Sequence, residues 1–368
     1  IMTSTATFTP DWISAPGETI ADLLEERGWT QTEFAKRTGF TRKHVNLLIK
    51  GNAPIYEDTA LKLERVLGST ARFWLAREAQ YRETLARAKE RKSLGHDSAW
   101  LKQIPLQDMI RFGWVRKLKD KGEQVAECLR FFGVASVAVW ESQVNQPLAA
   151  FRLSPTYKER LKKESNFPIA AWLRQGERRA TEIACHPFDK DRFREKLVEL
   201  RALTNEPDPK IFIPKLTTIC AEAGVVAVLE PAPKGCPISG ATRWLPSGKA
   251  LLMLSARHKT NDHLWFTFFH EAGHLLLHDK RLAFIEIQGG FDDELEEQAN
   301  VFARDLLIPP SFASQLATLS CTKVAVRAFA QKIGIAPGIV VGRMQKEDLL
   351  DWSYLNDLKI RYRWDHEK

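Results

Sequence analysis

The stretch Trp265-Phe-Thr-Phe-Phe-His-Glu-Ala-Gly-His-Leu-Leu-Leu277 decides how the rest of the chain is read. Apart from its histidines and Glu271 it is almost wholly apolar, which predicts a buried helix over 262–278. A helix advances about 100° per residue, so His270 and His274, four apart, project from one face. Two imidazoles so placed suit one Zn²⁺, and Glu271, one step along, reaches water at that ion as a base. Burying two imidazoles and a carboxylate without partners is costly, and a bound cation removes that cost.

A third ligand is sought on a neighbouring helix. Glu294-Leu-Glu-Glu-Gln-Ala-Asn-Val-Phe-Ala303 predicts one over 294–307, stopped by Pro309-Pro310. Glu296 and Asn300 share a face there, so one can ligate zinc while the other holds a ligand histidine. With Ala299, Phe302 and Leu306 turned inward, Glu294 and Glu297 fall nearer solvent. The helical phase therefore selects Glu296 over Glu297.

Around these helices the pattern alternates. Thr217–Ala223 reads as helix, Val225–Leu229 as a buried strand, Pro231–Pro237 as a turn and Ala250–Ser255 as a strand whose edge can pair with an extended peptide. Residues 93–200 read as mainly helical, with one strand-like run at Val134–Trp140 and breaks at Pro105, Pro147, Pro155 and Pro187. Residues 321–348 form one or two helices. Within them Phe329-Ala-Gln-Lys-Ile-Gly334 repeats the pattern of Phe34-Ala-Lys-Arg-Thr-Gly39, but the apolar Ile339, Val340 and Val341 favour helices that cap a core.

The N-terminal part has a different rhythm. Short amphipathic periods at Gly17–Arg27, Thr30–Thr38, Thr41–Lys50 and Tyr56–Leu67 are followed by a longer charged helix over 69–92. Thr30 with Glu33 forms a capping box. Ala35, Gly39 and Val45 sit where a helix-turn-helix needs a small residue, a turn glycine and an apolar plug. Thr41, Arg42, Lys43 and His44 then open the second helix as donors to bases and phosphates, and Gln31 opens the first beside the backbone.

Length and composition fit this division. A chain of 368 residues exceeds one ordinary core, and 44% hydrophobic against 27% charged residues is a globular balance. Lys+Arg exceed Asp+Glu by 8, which permits nucleic-acid contact without demanding it. The five cysteines include no Cys-x-x-Cys pair, so neither a disulfide framework nor a zinc ribbon is expected. No apolar run reaches membrane-span length and the first residues lack signal-peptide character, so a cytoplasmic protein without membrane partners is expected.

Two resemblances attach to these residues. The stretch from Pro16-Gly-Glu18 through Trp29–Gly39 to Asn52-Ala-Pro-Ile55 and Ala71-Arg-Phe-Trp-Leu75 resembles the Xre-type helix-turn-helix of HigA-like antitoxins, which implies operator binding, often as a dimer, in toxin–antitoxin or prophage-type regulation. The block Ile238-Ser-Gly-Ala-Thr-Arg-Trp244, the helix Phe266–His278 and the segment Glu296–Pro309 together resemble the ImmA/IrrE metallopeptidases. That likeness implies a zincin-like fold with His270, His274 and Glu296 as zinc ligands and Glu271 as base, acting on partner regulators.

The resulting expectation is a predominantly helical α+β protein. It has a helix-turn-helix domain over 12–92, a mainly helical middle over 93–210, a zinc metallopeptidase domain with a small sheet over 211–350 and a basic aromatic tail over 351–368. Its function reads as a DNA-binding regulator whose endopeptidase cleaves a partner or itself; the alternative is a repressor or antitoxin whose zinc domain only binds. Expected partners are double-stranded operator DNA, a protein substrate, toxin or repressor, and a second copy. Cys236 is a candidate latch for the open zinc position, or simply a buried cysteine. Arg243, Arg257 and His278 are candidate oxyanion stabilisers. Lys359-Ile-Arg-Tyr-Arg-Trp364 reads either as a stacking surface for single-stranded DNA, an activating ligand, or as a docked tail.

Overall fold

Cap and turn residues cut the N-terminal periodicity into short helices. They are α1 (Pro16–Glu26), α2 (Gln31–Thr38), α3 (Arg42–Ile49), α4 (Glu57–Leu67) and the longer α5 (Ala71–His96). The computed structural model describes residues 14–143, 151–152, 166–278, 283–287 and 294–364. Their contacts divide them into two units: residues through His96 with Asp120–Glu123, and the remainder. In the first, the Thr30 hydroxyl accepts from the Glu33 amide at 3.2 Å, and Gly39 ends α2 at φ 71° in the left-handed region. Ile20, Phe34, Val45, Leu63 and Trp74 form its core. A β-carbon on Gly17 would lie 2.2 Å from the Ile49 carbonyl, so only glycine lets α1 cross α3 so closely.

The second unit carries α6 (Leu106–Arg111), α7 (Lys121–Phe132), α8 (Val137–Gln143), β1 (Phe151–Arg152), α9 (Phe167–Glu182), α10 (Lys190–Ala202) and α11 (Pro209–Glu222). Beyond these come β2 (Val225–Leu229), β3 (Ile238–Trp244), β4 (Ala250–Leu254), α12 (Asn261–Leu277), β5 (Ala283–Ile287) and α13 (Glu294–Leu307), then α14 (Ala313–Ala317), α15 (Lys323–Ile333) and α16 (Pro337–Lys346). The strands form one sheet in the order β1-β5-β3-β4-β2. β3 runs antiparallel to both β4 and β5, while β2 with β4 and β1 with β5 are parallel pairs. Alternation along β4 splits the two faces. Leu252 and Leu254 enter the core shared by Phe212 of α11 and by Trp265 and Phe268 of α12. Met253 turns to the opposite face, where a β-carbon on Gly176 of α9 would stand 2.1 Å from its sulfur. A small sheet between helices, in a predominantly helical α+β fold, is the expected class.

Two expectations are corrected, and one left open between two readings is decided. The run Val134–Trp140 is not a strand: the Ser136 hydroxyl accepts from the Val139 amide at 3.2 Å, opening α8, and Trp140 packs on Trp100 and Phe167 at 5.1 and 4.9 Å. Its alternation reflected aromatic packing rather than pleating. β4 offers no free edge, because β3 and β2 pair with its two sides. The C-terminal tail is docked rather than open: Tyr362 donates its amide to the Lys259 carbonyl at 2.7 Å and sets its ring 5.5 Å from Phe212. The breaks expected at Pro147 and Pro155 lie outside the described residues. α15 and α16 meet at 109° across Gly334, which has φ 74°. Buried Ile339, Val340 and Val341 commit that pair to the core, as their apolarity predicts. Among the described residues no single helix is long and apolar enough to cross a membrane.

Candidate metal centre

The floor of the site is α12, buried along most of its length. Its chemistry lies in the C-terminal half, where His270, Glu271 and His274 are 1%, 0% and 2% exposed. Gly273, between the histidines, lets α13 approach: a β-carbon there would meet Phe302 at 3.1 Å and the Ala299 backbone at 3.3 Å. That approach delivers Glu296, buried on the inner face, whereas Glu297 is exposed.

Three donor atoms converge. His270 Nε2 lies 3.0 Å from His274 Nε2 and 3.1 Å from Glu296 Oε2, and His274 Nε2 lies 3.5 Å from Glu296 Oε1. Ligands at zinc–nitrogen and zinc–oxygen bond lengths around a tetrahedral ion stand about 3.4 Å apart, so these separations fit one cation. Protonation states agree with that fit. Burial is the main influence holding His274 down to about 4, against a smaller opposing pull from Glu296. On Glu296 burial pushes the carboxyl up, but hydrogen bonds from His270 and His274 and their charge outweigh it and hold it at about 2. At neutral pH the cluster offers a neutral imidazole at His274 and a carboxylate at Glu296, the forms that bind metal. Asn300, one turn beyond Glu296, accepts from His270 Nδ1 at 3.0 Å, which fixes the tautomer that leaves Nε2 as the ligand atom.

Glu271 sits against β3. A β-carbon on Gly240 would fall 2.6 Å from Glu271 Oε1 and 2.7 Å from Thr267 Cγ2, so the strand passes over the carboxylate only because residue 240 has no side chain. Gly240 has no assigned role in the block Ile238–Trp244 when the sequence stands alone. Its signal was a glycine inside a strand, which marks a close approach.

Other candidates are placed elsewhere. Cys236 is buried at the turn before β3, and burial pushes its thiol up to about 12. It does not join the metal-ligand cluster, which among the described residues contains His270, His274 and Glu296. Of its two readings the buried cysteine is the one that fits: Cys236 is a buried thiol outside that three-residue cluster. Arg243 is committed to Glu177 of α9, Arg257 donates to the Pro237 carbonyl, and His278 donates Nε2 to the Leu295 carbonyl at 3.1 Å, tying the end of α12 to α13. These three contacts give the candidate oxyanion groups structural partners.

In the first unit Arg42 and Lys43 are exposed at the start of α3, and among the described residues neither joins an ion pair. Thr41 caps that helix, its hydroxyl accepting from the His44 amide at 3.2 Å. His44 is half-buried with its ring 4.9 Å from Phe40, and Gln31 is half-buried at the first position of α2.

No curated protein matches the chain. The family comparisons fall on the two units: residues 20–74 match the helix-turn-helix family and residues 231–344, which contain every side chain of the metal centre, match the peptidase family described as the IrrE N-terminal-like domain, so the chain joins a helix-turn-helix segment to an IrrE-like peptidase segment.

Proposed function

We propose that this protein is a DNA-binding transcription regulator carrying a zinc-dependent endopeptidase that cleaves a partner regulator or the chain itself. The observation that carries the reading is the convergence of His270, His274 and Glu296, with Asn300 behind His270 and Glu271 buried beside them. His270, His274 and Glu296 would hold a zinc ion, which would supply Lewis acidity at the scissile carbonyl. Glu271 accepts the proton of the attacking water and passes it to the leaving nitrogen, which requires a carboxylate held against the strand as Gly240 allows. Asn300 orients His270, and Gly273 brings Glu296 to its position. Arg42, Lys43, Thr41, His44 and Gln31 are proposed to face operator DNA, with the two exposed cations at the groove and Thr41 also serving as cap. The working chain is proposed to pair as a dimer on DNA, in the cytoplasm, with a protein substrate, toxin or repressor as its second partner.

The decisive experiment co-expresses the chain, wild type or Glu271→Gln, with neighbouring gene products and maps new termini by mass spectrometry. Wild type should yield fragments that Glu271→Gln does not, while both hold zinc. Identical fragment patterns would leave a non-proteolytic repressor or antitoxin whose zinc site is structural.

A further inference from the structure

His258 and His263 lie outside the metal centre, where β4 gives way to α12. Their rings stack, with centroids 4.3 Å apart and planes 27° from parallel. His258 is half-buried and His263 is exposed. The contact joins the loop that leaves β4 to the first turn of α12, and it encloses Lys259, Thr260, Asn261 and Asp262.

Those four residues are the ones on which the C-terminal segment docks. Tyr362 donates its amide to the Lys259 carbonyl at 2.7 Å, and Asn261 donates its own to the Ile360 carbonyl at 3.0 Å. Asn261 Oδ1 accepts from the Ile360 amide at 3.0 Å. Thr260 bridges Arg361 in antiparallel register, and Asp262 pairs with Lys359 at 2.6 Å. The loop that presents them is strained. Ala256 and Lys259 adopt φ of 48° and 56°, conformations that residues with side chains rarely take, and such a backbone persists only while its surroundings hold it.

Charge around the rings is weighted toward cations. Arg257 and Lys259 flank His258 on the loop, and Ser239 of β3, Leu254 of β4 and Leu264 and Thr267 of α12 complete the surroundings without charge. The carboxylate of that helix turn is Asp262, already engaged by Lys359. From the C-terminal segment the exposed Arg361 stands at the bridge to Thr260. Burial, then His263, then Arg257 push the His258 imidazole below its ordinary range, and Asp262 opposes them only in part. Two neutral rings stack without penalty, whereas two protonated rings set one cation against another. A histidine held down in the closed form stabilises that form above its ordinary range, and the contribution fades as pH falls.

We propose that the His258–His263 stack is an acid-opened clasp: with both rings neutral it holds the β4–α12 loop closed on residues 359–362, and proton uptake by the pair releases that segment from Lys259–Asp262. The clasp requires neither a bound metal nor peptidase activity.

The test is hydrogen exchange on the full chain, compared as protection factors at about pH 7.5 and about pH 5.5, either side of the ordinary histidine range. The amides to follow are Asn261, Ile360 and Tyr362, with those of α15 and α16 in the same unit as reference. One proton gained on opening, at a group that titrates near about 6.5 when free, makes opening about five- to tenfold more frequent across that interval. Protection at the three amides should fall by that factor while the reference helices keep theirs. His258→Phe leaves a ring against His263 but takes up no proton, so it should match wild type at the higher pH and lose less than about twofold at the lower. If that variant does not fold, NMR titration of the wild-type histidine rings decides the matter, because His258 should titrate below its ordinary range. Protection that ignores pH, a fall shared equally by α15 and α16, a His258→Phe chain that loses protection as wild type does, or a His258 ring titrating at or above its ordinary range would each overturn the proposal.

Discussion

Asn300 touches no reacting atom in the proposed chemistry, yet it sets the tautomer of His270. Asn300→Ala should therefore lower zinc affinity about 10- to 100-fold without unfolding the unit, measured by competition with a chromophoric chelator. His270→Ala, His274→Ala and Glu296→Ala should lose zinc outright, and Glu271→Gln should keep about one ion per chain in metal analysis. Zinc retained by Glu296→Ala and lost by Glu297→Ala would overturn the helical phase on which the ligand set rests. Cys236 makes the opposite kind of prediction. Its thiol stands near 12 and is buried, so it should react with a thiol reagent far more slowly than exposed Cys321, and Cys236→Ser should leave zinc content and cleavage unchanged.

Between elements, glycine decides two approaches that build the centre. β3 passes over Glu271 at Gly240, and α13 lies against α12 at Gly273. Gly240→Ala places a methyl group 2.6 Å from Glu271 Oε1 and 2.7 Å from Thr267 Cγ2, and since neither strand nor helix can yield freely the cost should be about 1–3 kcal/mol of stability. Cleavage should fall further than stability, because the displaced group is the base. A variant with wild-type melting and wild-type cleavage would remove Gly240 from the account. In the first unit the exposed start of α3 is the element to probe. Arg42→Ala should cost about 1–3 kcal/mol in operator binding and relax specificity if it contacts a base, whereas a phosphate contact should weaken all sequences alike. A shift assay against operator and random duplex separates the two.

At the scale of the molecule, each unit buries its own hydrophobic cluster. The metal centre belongs to the larger one, where a buried ion would add its binding energy to folding. Stripping zinc with a chelator should thus lower the melting transition of the larger unit and leave that of the smaller, N-terminal unit in place, seen as two transitions by calorimetry. A single transition that moves as a whole would mean that the two cores unfold together. The tail contributes to the larger unit through the buried ion pair of Lys359 with Asp262 at 2.6 Å. Lys359→Ala leaves that carboxylate buried and unpaired, and should destabilise this unit by about 3–5 kcal/mol.

The sequence by itself determined what local periodicity carries. The i, i+4 spacing of His270 and His274, the phase that turns Glu296 inward and Asn300 toward the histidine, the caps at Thr30 and Thr41 and the turn at Gly39 are all properties of single helices and their ends. Each could be read within about ten residues. Tertiary structure decided what depends on partners far along the chain. β3 has no decisive strand signal and Val134–Trp140 resembles a strand, because strand and aromatic-helix patterns look alike until their neighbours are known. β4 lost its edge to two pairing strands, Arg243 was claimed by Glu177, and Cys236 was left off the metal by where the turn before β3 places it. The tail's aromatic and basic residues suit docking and nucleic acid equally well in sequence, and only the pairing of Tyr362 with Lys259 separated the two. Backbone pairing and long-range burial are set by the whole fold, so no window of sequence contains them.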